Sequence, residues 1–254
     1  MQRFTGKVAL VTGATTGIGQ AIALRLASEG AVVAVNRKPD VDAEETLQRI
    51  AAAGGDAFAI AADMRDPQAV KAMVQAVAAR CGRLDYVVSN AGINPALTWD
   101  ETTVEDFDAL FETNVRGPWV VCTEAAKQMI AAGQGGAMVM IGSISAHVAG
   151  PTQIAYCGTK GAVGMLGKAL GSVLGQHGIR INVVEPGAIA TNMSAPMFGM
   201  PDVLRYYQER IALQRVGQPA EIAAVVAFLL SDDASYVTSS AVLVDAGFIV
   251  NAEL

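Results

Sequence analysis

The sequence predicts a doubly wound α/β fold: one parallel sheet of about seven strands with helices on both faces. Short apolar runs alternate with longer stretches whose apolar residues fall at helical spacing. The runs are continuous rather than alternating, the pattern of strands covered on both faces. Repeated strand, helix, strand order implies right-handed crossovers onto a parallel sheet. The 254 residues, 52% of them hydrophobic, read as one domain over 1–254, since Pro and Gly are spread along the connections and no linker interrupts them. A chain of this length buries roughly three quarters of its unfolded surface and needs no staples.

The first apolar run, 8–11, is followed by helical spacing over 17–28, with Ile18, Ala21, Ile22, Leu24 and Leu26 apolar. Residues 31–35 form the second run, and helical spacing returns through Leu47 and Ile50. The third run, 57–60, precedes a helix over 70–79 with Val70, Val74 and Val77 on one face. The fourth, 84–88, precedes helical stretches around 107–110 and over 120–131. The fifth, 137–141, leads into a long helix over 156–176; the sixth, 179–184, leads into 220–230; and 241–244 closes the series. Glycines at 158, 161, 164, 167, 171 and 175 line one stripe of the long helix, each costing up to about 1 kcal/mol relative to Ala. That stripe answers to close packing against the sheet, to a partner helix across a subunit interface, or to both.

Composition narrows the function. A net charge of −6 disfavours generic nucleic-acid or anionic-membrane binding. Cys81, Cys122 and Cys157 are too scattered for a disulfide framework or metal spacing, and fit a reduced, cytoplasmic protein. With His147 and His177 as the only histidines, a His-Glu-x-x-His zinc site is excluded, and no metal is expected. The first seven residues lack the layout of a signal peptide. The uncharged stretch between Lys127 and Lys160 is broken by glycines, serines, His147 and Pro151, so it is not read as a membrane span.

Gly13, Thr15, Thr16, Gly17, Ile18 and Gly19 follow the first strand and open the first helix. A glycine turn there lets backbone N–H groups approach a pyrophosphate, with the helix dipole behind them. Position makes the motif specific: it lies directly after strand one, about 25 residues before strand two. An acid at the tip of the second strand would accept from both ribose hydroxyls and repel a 2′-phosphate. The chain instead offers Asn36, Arg37 and Lys38, with Asp40 and Asp42 falling past the tip. Arg37 suits bidentate bonding to phosphate, which predicts NADP over NAD.

Tyr156 and Lys160 stand four apart at the start of the long helix, on one face. A phenol titrates near 10, so acid–base work near neutrality asks for a shift of about three units, about 4 kcal/mol. An ammonium about 4 Å away supplies roughly that at an effective dielectric of about 20. From further off, an oxidised nicotinamide must supply the rest. Ser143, thirteen residues earlier at the end of the fifth strand, is placed to face the same cleft. Asn114 is placed to tie the lysine to a water chain.

On these residues the chain resembles the short-chain dehydrogenase/reductase family from end to end. The glycine turn is one shared motif. Ser89-Asn90-Ala91-Gly92 is similar to the family's Asn-Asn-Ala-Gly, with Ser89 in place of the first Asn. Asn114, Ser143, Tyr156 and Lys160 match its catalytic tetrad, and Pro186-Gly187-Ala188-Ile189-Ala190-Thr191 its nicotinamide-holding segment. Asp63 and Met64 match residues that meet the adenine. The resemblance implies a Rossmann sheet and direct hydride transfer between cofactor and substrate carbon. It makes Tyr156 the proton carrier, Lys160 its cationic neighbour and a ribose ligand, Ser143 the polariser of the substrate oxygen, and Asn114 a member of the proton relay. NADP-using relatives often carry a basic residue beside the glycine turn, where Thr15 and Thr16 stand here.

The segment 192–213, with Met193, Met197, Met200, Phe198, Tyr206 and Tyr207, resembles the family's substrate lid. Ser145, His147 and Gln153 flank the catalytic residues and suggest a hydroxylated small-molecule substrate, whereas a methionine lid suggests an apolar one. The C-terminal run 243–251 is similar to that of sugar 1-dehydrogenases, and less closely to 3-oxoacyl-carrier-protein reductases. A sugar or polyol is therefore the expected substrate, a 3-oxoacyl thioester or other ketone the alternative, and a homotetramer the expected assembly. A non-enzymatic NADP-binding sensor of the same fold is the rival of another class; such proteins tend to lose the tyrosine or lysine, and both are present here.

Overall fold

The computed structural model describes residues 2–251. Its strands are β1 Val8–Val11, β2 Val32–Arg37, β3 Asp56–Ala61, β4 Tyr86–Ser89, β5 Gly136–Ile141, β6 Ile179–Pro186 and β7 Ala241–Val244. They form one sheet in the order β3-β2-β1-β4-β5-β6-β7, with every pairing parallel. The helices are α1 Gly17–Ser28, α2 Glu44–Ala52, α3 Pro67–Cys81, α4 Val104–Phe111, α5 Gly117–Ala132, α6 Ile154–Leu174, α7 Ala195–Phe198, α8 Pro201–Arg210 and α9 Pro219–Leu230. Among the described residues, no helix is long and apolar enough to cross a membrane.

Strand alternation divides the apolar side chains between two cores. Ala9, Val11, Val33 and Val35 pack with Ile22 and Leu26 of α1 and Ile222 and Val226 of α9. Val8, Leu10 and Ala34 face Val74 of α3, Val121 of α5 and Val163 of α6. Both layers are needed to cover continuous apolar strands. The order in which strands are added switches from one side of β1 to the other at β4, which opens a crevice at the carboxyl ends of these two parallel strands.

The predicted elements are present, with ends moved by no more than three residues. The largest additions lie in the 192–213 segment, which forms α7 and α8. The structure also divides the glycine stripe. Gly164, Gly167 and Gly171 are buried: added Cβ atoms there would meet Glu185, Val183 or the Ile181 carbonyl. Gly161 and Gly175 face open space. Close packing on β6 thus accounts for half of the stripe.

Candidate active site

The glycine turn is shaped by contacts from distant segments. Gly13 and Gly17 have φ of +61° and +56°, which suit glycine. A Cβ on Gly13 would sit 2.9 Å from Ala91 Cα, and one on Gly19 would collide with the Gly13 carbonyl oxygen and lie 2.5 Å from Asn90 Nδ2. Buried Thr46 of α2 donates to the carbonyls of Ala14 and Thr15, and Asn90 Nδ2 donates to those of Thr12 and Gly13. Meanwhile the α1 terminus keeps its donors: Thr16 makes no side-chain cap bond, and no acid stands in the first turn. A preformed, uncapped helix N-terminus fits a pyrophosphate.

At the β2 tip the three basic-end residues separate. Asn36 is 2% exposed; its Oδ1 accepts from the Gly13 amide, and its Nδ2 donates to the Ile60 and Ala62 carbonyls. Its carboxamide shapes the turn. Arg37 and Lys38 point outward, with Arg37 Nη1 bonded to the carbonyls of Lys38, Pro39 and Val41. Asp40 lies past the strand, and Asp42 accepts from the Glu44 amide at the start of α2. No carboxylate is therefore on β2 itself. Asp63 is paired with Arg65 at 2.8 Å, which holds its carboxyl below the usual range, and Met64 is buried against Gly117. A ribose bearing a 2′-phosphate fits this cationic tip.

Four polar residues converge where β5, α6 and the segment after α4 meet. Ser143 follows β5, and its Oγ accepts from the Ser145 amide. Tyr156 lies in the first turn of α6, with its phenol beside Ser143. Burial pushes that phenol up to about 12, against the lowering effect of the neighbouring Ser143. Lys160, one turn on, is 5% exposed; its Nζ donates to the Ile141 carbonyl at 2.9 Å and stands 5.5 Å from the Tyr156 ring centroid. Burial without a carboxylate partner depresses the ammonium to about 8. The lysine alone does not bring the phenol down, contrary to the simplest expectation from a cation about 4 Å away.

Asn114 sits in a π-helical segment, Glu112–Arg116, between α4 and α5. Such bulges recur at functional sites because they re-aim one side chain out of helical register. Asn114 brackets Ile93, accepting from its amide and donating to its carbonyl, and donates to Thr159 Oγ1 at 3.2 Å. Thr159 in turn donates to the Tyr156 carbonyl. Asn114 is thus joined to the turn carrying Tyr156 and Lys160 through Thr159, rather than by a direct hydrogen bond to the lysine.

The surroundings are polar near Ser143 and apolar beneath the 192–213 segment. Ser145 Oγ donates to Gln153 Oε1 at 3.3 Å. His147 Nε2 pairs with Glu185 Oε2 at 2.8 Å. An open cleft beside Tyr156 is lined by Asn94, Leu97, Leu110, Gln153 and Ile154. The 192–213 segment is anchored by aromatics, not methionines. Tyr207 of α8 stacks on Phe248 and meets Phe198 of α7 edge-on, and this cluster packs with Ile144 and Val148 of the loop after β5. Met193 and Met200 are more than half exposed.

Pro186 and Gly187 end β6, and a Cβ on Gly187 would meet Asp245. Ile189 bridges Gly217, and Thr191 touches Gly17, so this segment closes the crevice opposite the glycine turn. Three contributors were not singled out from the sequence: Glu185, Thr12 and Thr159. Thr12 Oγ1 accepts from the amides of Asn90 and Ala91 and joins the two walls.

Over residues 13–249 the chain matches the family described as enoyl-(acyl carrier protein) reductase. It is 39% identical over 254 residues, covering all of both chains, to an L-rhamnose 1-dehydrogenase (NAD(P)(+)) of Sphingomonas sp. (strain SKA58). An L-rhamnose 1-dehydrogenase (NADP(+)) of Thermoplasma acidophilum is 34% identical, again over the whole of both chains. A short chain dehydrogenase from Burkholderia cenocepacia J2315, solved in complex with NADP, superposes with a TM-score of 0.89 at 35% identity, covering 97% of this chain and 99% of that one.

Proposed function

The chain belongs to the short-chain dehydrogenase/reductase family, and on that footing we propose that it is an NAD(P)-dependent oxidoreductase, NADP-preferring, that oxidises a CH–OH group of a sugar or polyol. The observation that carries the chemistry is the placement of Ser143 beside the Tyr156 phenol, one helical turn from buried Lys160. Full-length similarity to two L-rhamnose 1-dehydrogenases supports the sugar, as do the polar side chains of Ser145, His147 and Gln153.

Gly13, Thr15, Thr16 and the amides of Gly17, Ile18 and Gly19 hold the pyrophosphate; Arg37 and Lys38 hold the 2′-phosphate, with Asn36 shaping the turn behind them. Asp63 and Met64 meet the adenine. Asn90, Ala91 and Gly92 line one side of the nicotinamide half and Pro186, Gly187, Ile189 and Thr191 the other, while Lys160 reaches the ribose. When bound, the dinucleotide supplies a hydride acceptor and, in its oxidised form, a positive charge. Ser143 donates to the alcohol oxygen and fixes it. Tyr156, as phenolate, takes the hydroxyl proton as the C–H bond breaks, so the alcohol leaves as a carbonyl. Lys160 stabilises the phenolate, and Asn114, through Thr159, holds the helix turn on which both depend. The segment 192–213 acts as the lid over a single catalytic domain. A homotetramer would cover the exposed Phe107, Trp119, Met165 and Val173 of α4, α5 and α6.

NADP reduction over a panel of aldoses, polyols and simple secondary alcohols, with 3-oxoacyl thioesters run in reverse, tests this. Turnover is expected with aldoses, L-rhamnose among them. Turnover confined to thioesters would replace the substrate class, and binding without turnover of any class would make the protein a sensor. Arg37→Ala is expected to weaken NADPH about 10- to 100-fold, the worth of one bidentate charged contact, and NADH little. Equal losses in fluorescence titrations would remove the phosphate role.

A further inference from the structure

Glu185 is a carboxylate in an unusual place. It lies next to the last residue of β6, after the apolar pair Val183 and Val184 and directly before Pro186-Gly187, and its side chain is 3% exposed. Burying a carboxylate is costly without a partner. Its hydrogen bond among the described residues is to His147 Nε2. The niche is made by two glycines: a Cβ on Gly142 would lie 2.9 Å from Glu185 Cγ, and one on Gly164 would lie 3.4 Å from Oε1. Gly142 immediately precedes Ser143, so the carboxylate is tucked under the catalytic loop.

His147 lies between the catalytic serine and the lid. Its amide donates to the Ile144 carbonyl, and the next residue, Val148, packs with Phe198 and Tyr207. The imidazole is 43% exposed, so one edge is anchored in the protein while the other stays accessible. A carboxylate only accepts hydrogen bonds, so Nε2 carries a proton, and in the neutral imidazole Nδ1 is left an acceptor. Nδ1 makes no hydrogen bond among the described residues.

The geometry points to a hydroxyl-recognition subsite: Glu185 is a positioning residue that locks His147 in the tautomer whose Nδ1 accepts from a substrate hydroxyl neighbouring the CH–OH being oxidised. This rests on the oxidoreductase reading above and gives the substrate class a chemical reason. A site built to bond a hydroxyl discriminates strongly against the analogue lacking it, because the protein group is then left unpaired. A purely structural strut would instead affect all substrates alike.

The test uses the full-length enzyme and pairs a hydroxylated substrate that the wild type oxidises with its deoxy analogue and a simple secondary alcohol. His147→Leu is expected to lower kcat/KM for the hydroxylated substrate about 10- to 100-fold, mainly through KM, and to leave the other two nearly unchanged. Glu185→Gln keeps the shape and is expected to move in the same direction by less, with the double variant no worse than His147→Leu. NADPH affinity and Tm serve as checks on folding. Equal losses on all substrates, or none on the hydroxylated one, would overturn the inference while leaving the oxidoreductase reading intact. Failure of the wild type on every hydroxylated substrate would overturn the sugar reading and the subsite together.

Discussion

Tyr156→Phe is expected to lower kcat about 1,000-fold while leaving the NADPH dissociation constant essentially unchanged. General acid–base groups contribute roughly 10²–10⁴ in rate, and in the proposed mechanism the phenolic oxygen beside Ser143 exchanges the proton with substrate. The substitution removes that oxygen and no contact that shapes the crevice: Lys160 keeps its bond to the Ile141 carbonyl, and Thr159 still donates to the carbonyl of residue 156. Single-turnover kinetics and NADPH fluorescence titration separate the two effects. Turnover close to wild type would remove the proton-transfer role.

Gly19→Ala is expected to cost about 100-fold or more in NADPH affinity. The new methyl group has nowhere to go. It would meet the Gly13 carbonyl oxygen, which is backbone, and Asn90 Nδ2, which is already donating to the carbonyls of Thr12 and Gly13. Overpacking of this kind costs about 1–3 kcal/mol, and relief requires the turn to open. Because this turn carries the amides proposed to hold the pyrophosphate, the strain is expected in binding more than in global stability. Circular dichroism and a Tm within a few degrees of wild type would show the fold intact. Unaltered NADPH affinity would mean that the turn does not hold the pyrophosphate.

Much of this architecture is legible in sequence because continuous apolar runs and helical spacing are local signals. α1 and β7 occupy the residues that their patterns mark, 17–28 and 241–244. What periodicity does not reveal is equally physical. Pro196 and Pro201 divide the 192–213 segment into short helices, and α8 is too polar to announce a buried face. The π segment around Asn114 continues α4 into α5 without a composition change, so only its hydrogen bonding distinguishes it.

The site shows the same division. Ser143, Tyr156 and Lys160 are found by spacing. Asn36 shares the face of Ala34 and is buried, while Arg37, on the face of Val35, is more exposed because it is the last residue of β2. Glu185 carries none: an acid after six residues of strand pattern, before Pro-Gly, reads as the start of a loop. Its pairing with His147 spans 38 residues and exists only once β6 lies beside β5. The phenol's acidity is likewise a tertiary property, since burial rather than sequence spacing sets it at about 12 and sets the lysine at about 8.

The central claim is that this half-buried phenol becomes the proton carrier once positive charge gathers around it. Ultraviolet titration of tyrosinate, taken as wild type minus Tyr156→Phe, reads that phenol directly. Without dinucleotide the difference signal is expected near pH 12. With saturating NADP⁺ it is expected to move down by several units toward neutrality, as two adjacent cationic groups favour the phenolate. A difference signal that stays near pH 12 in a complex that turns over normally at neutral pH would contradict the account.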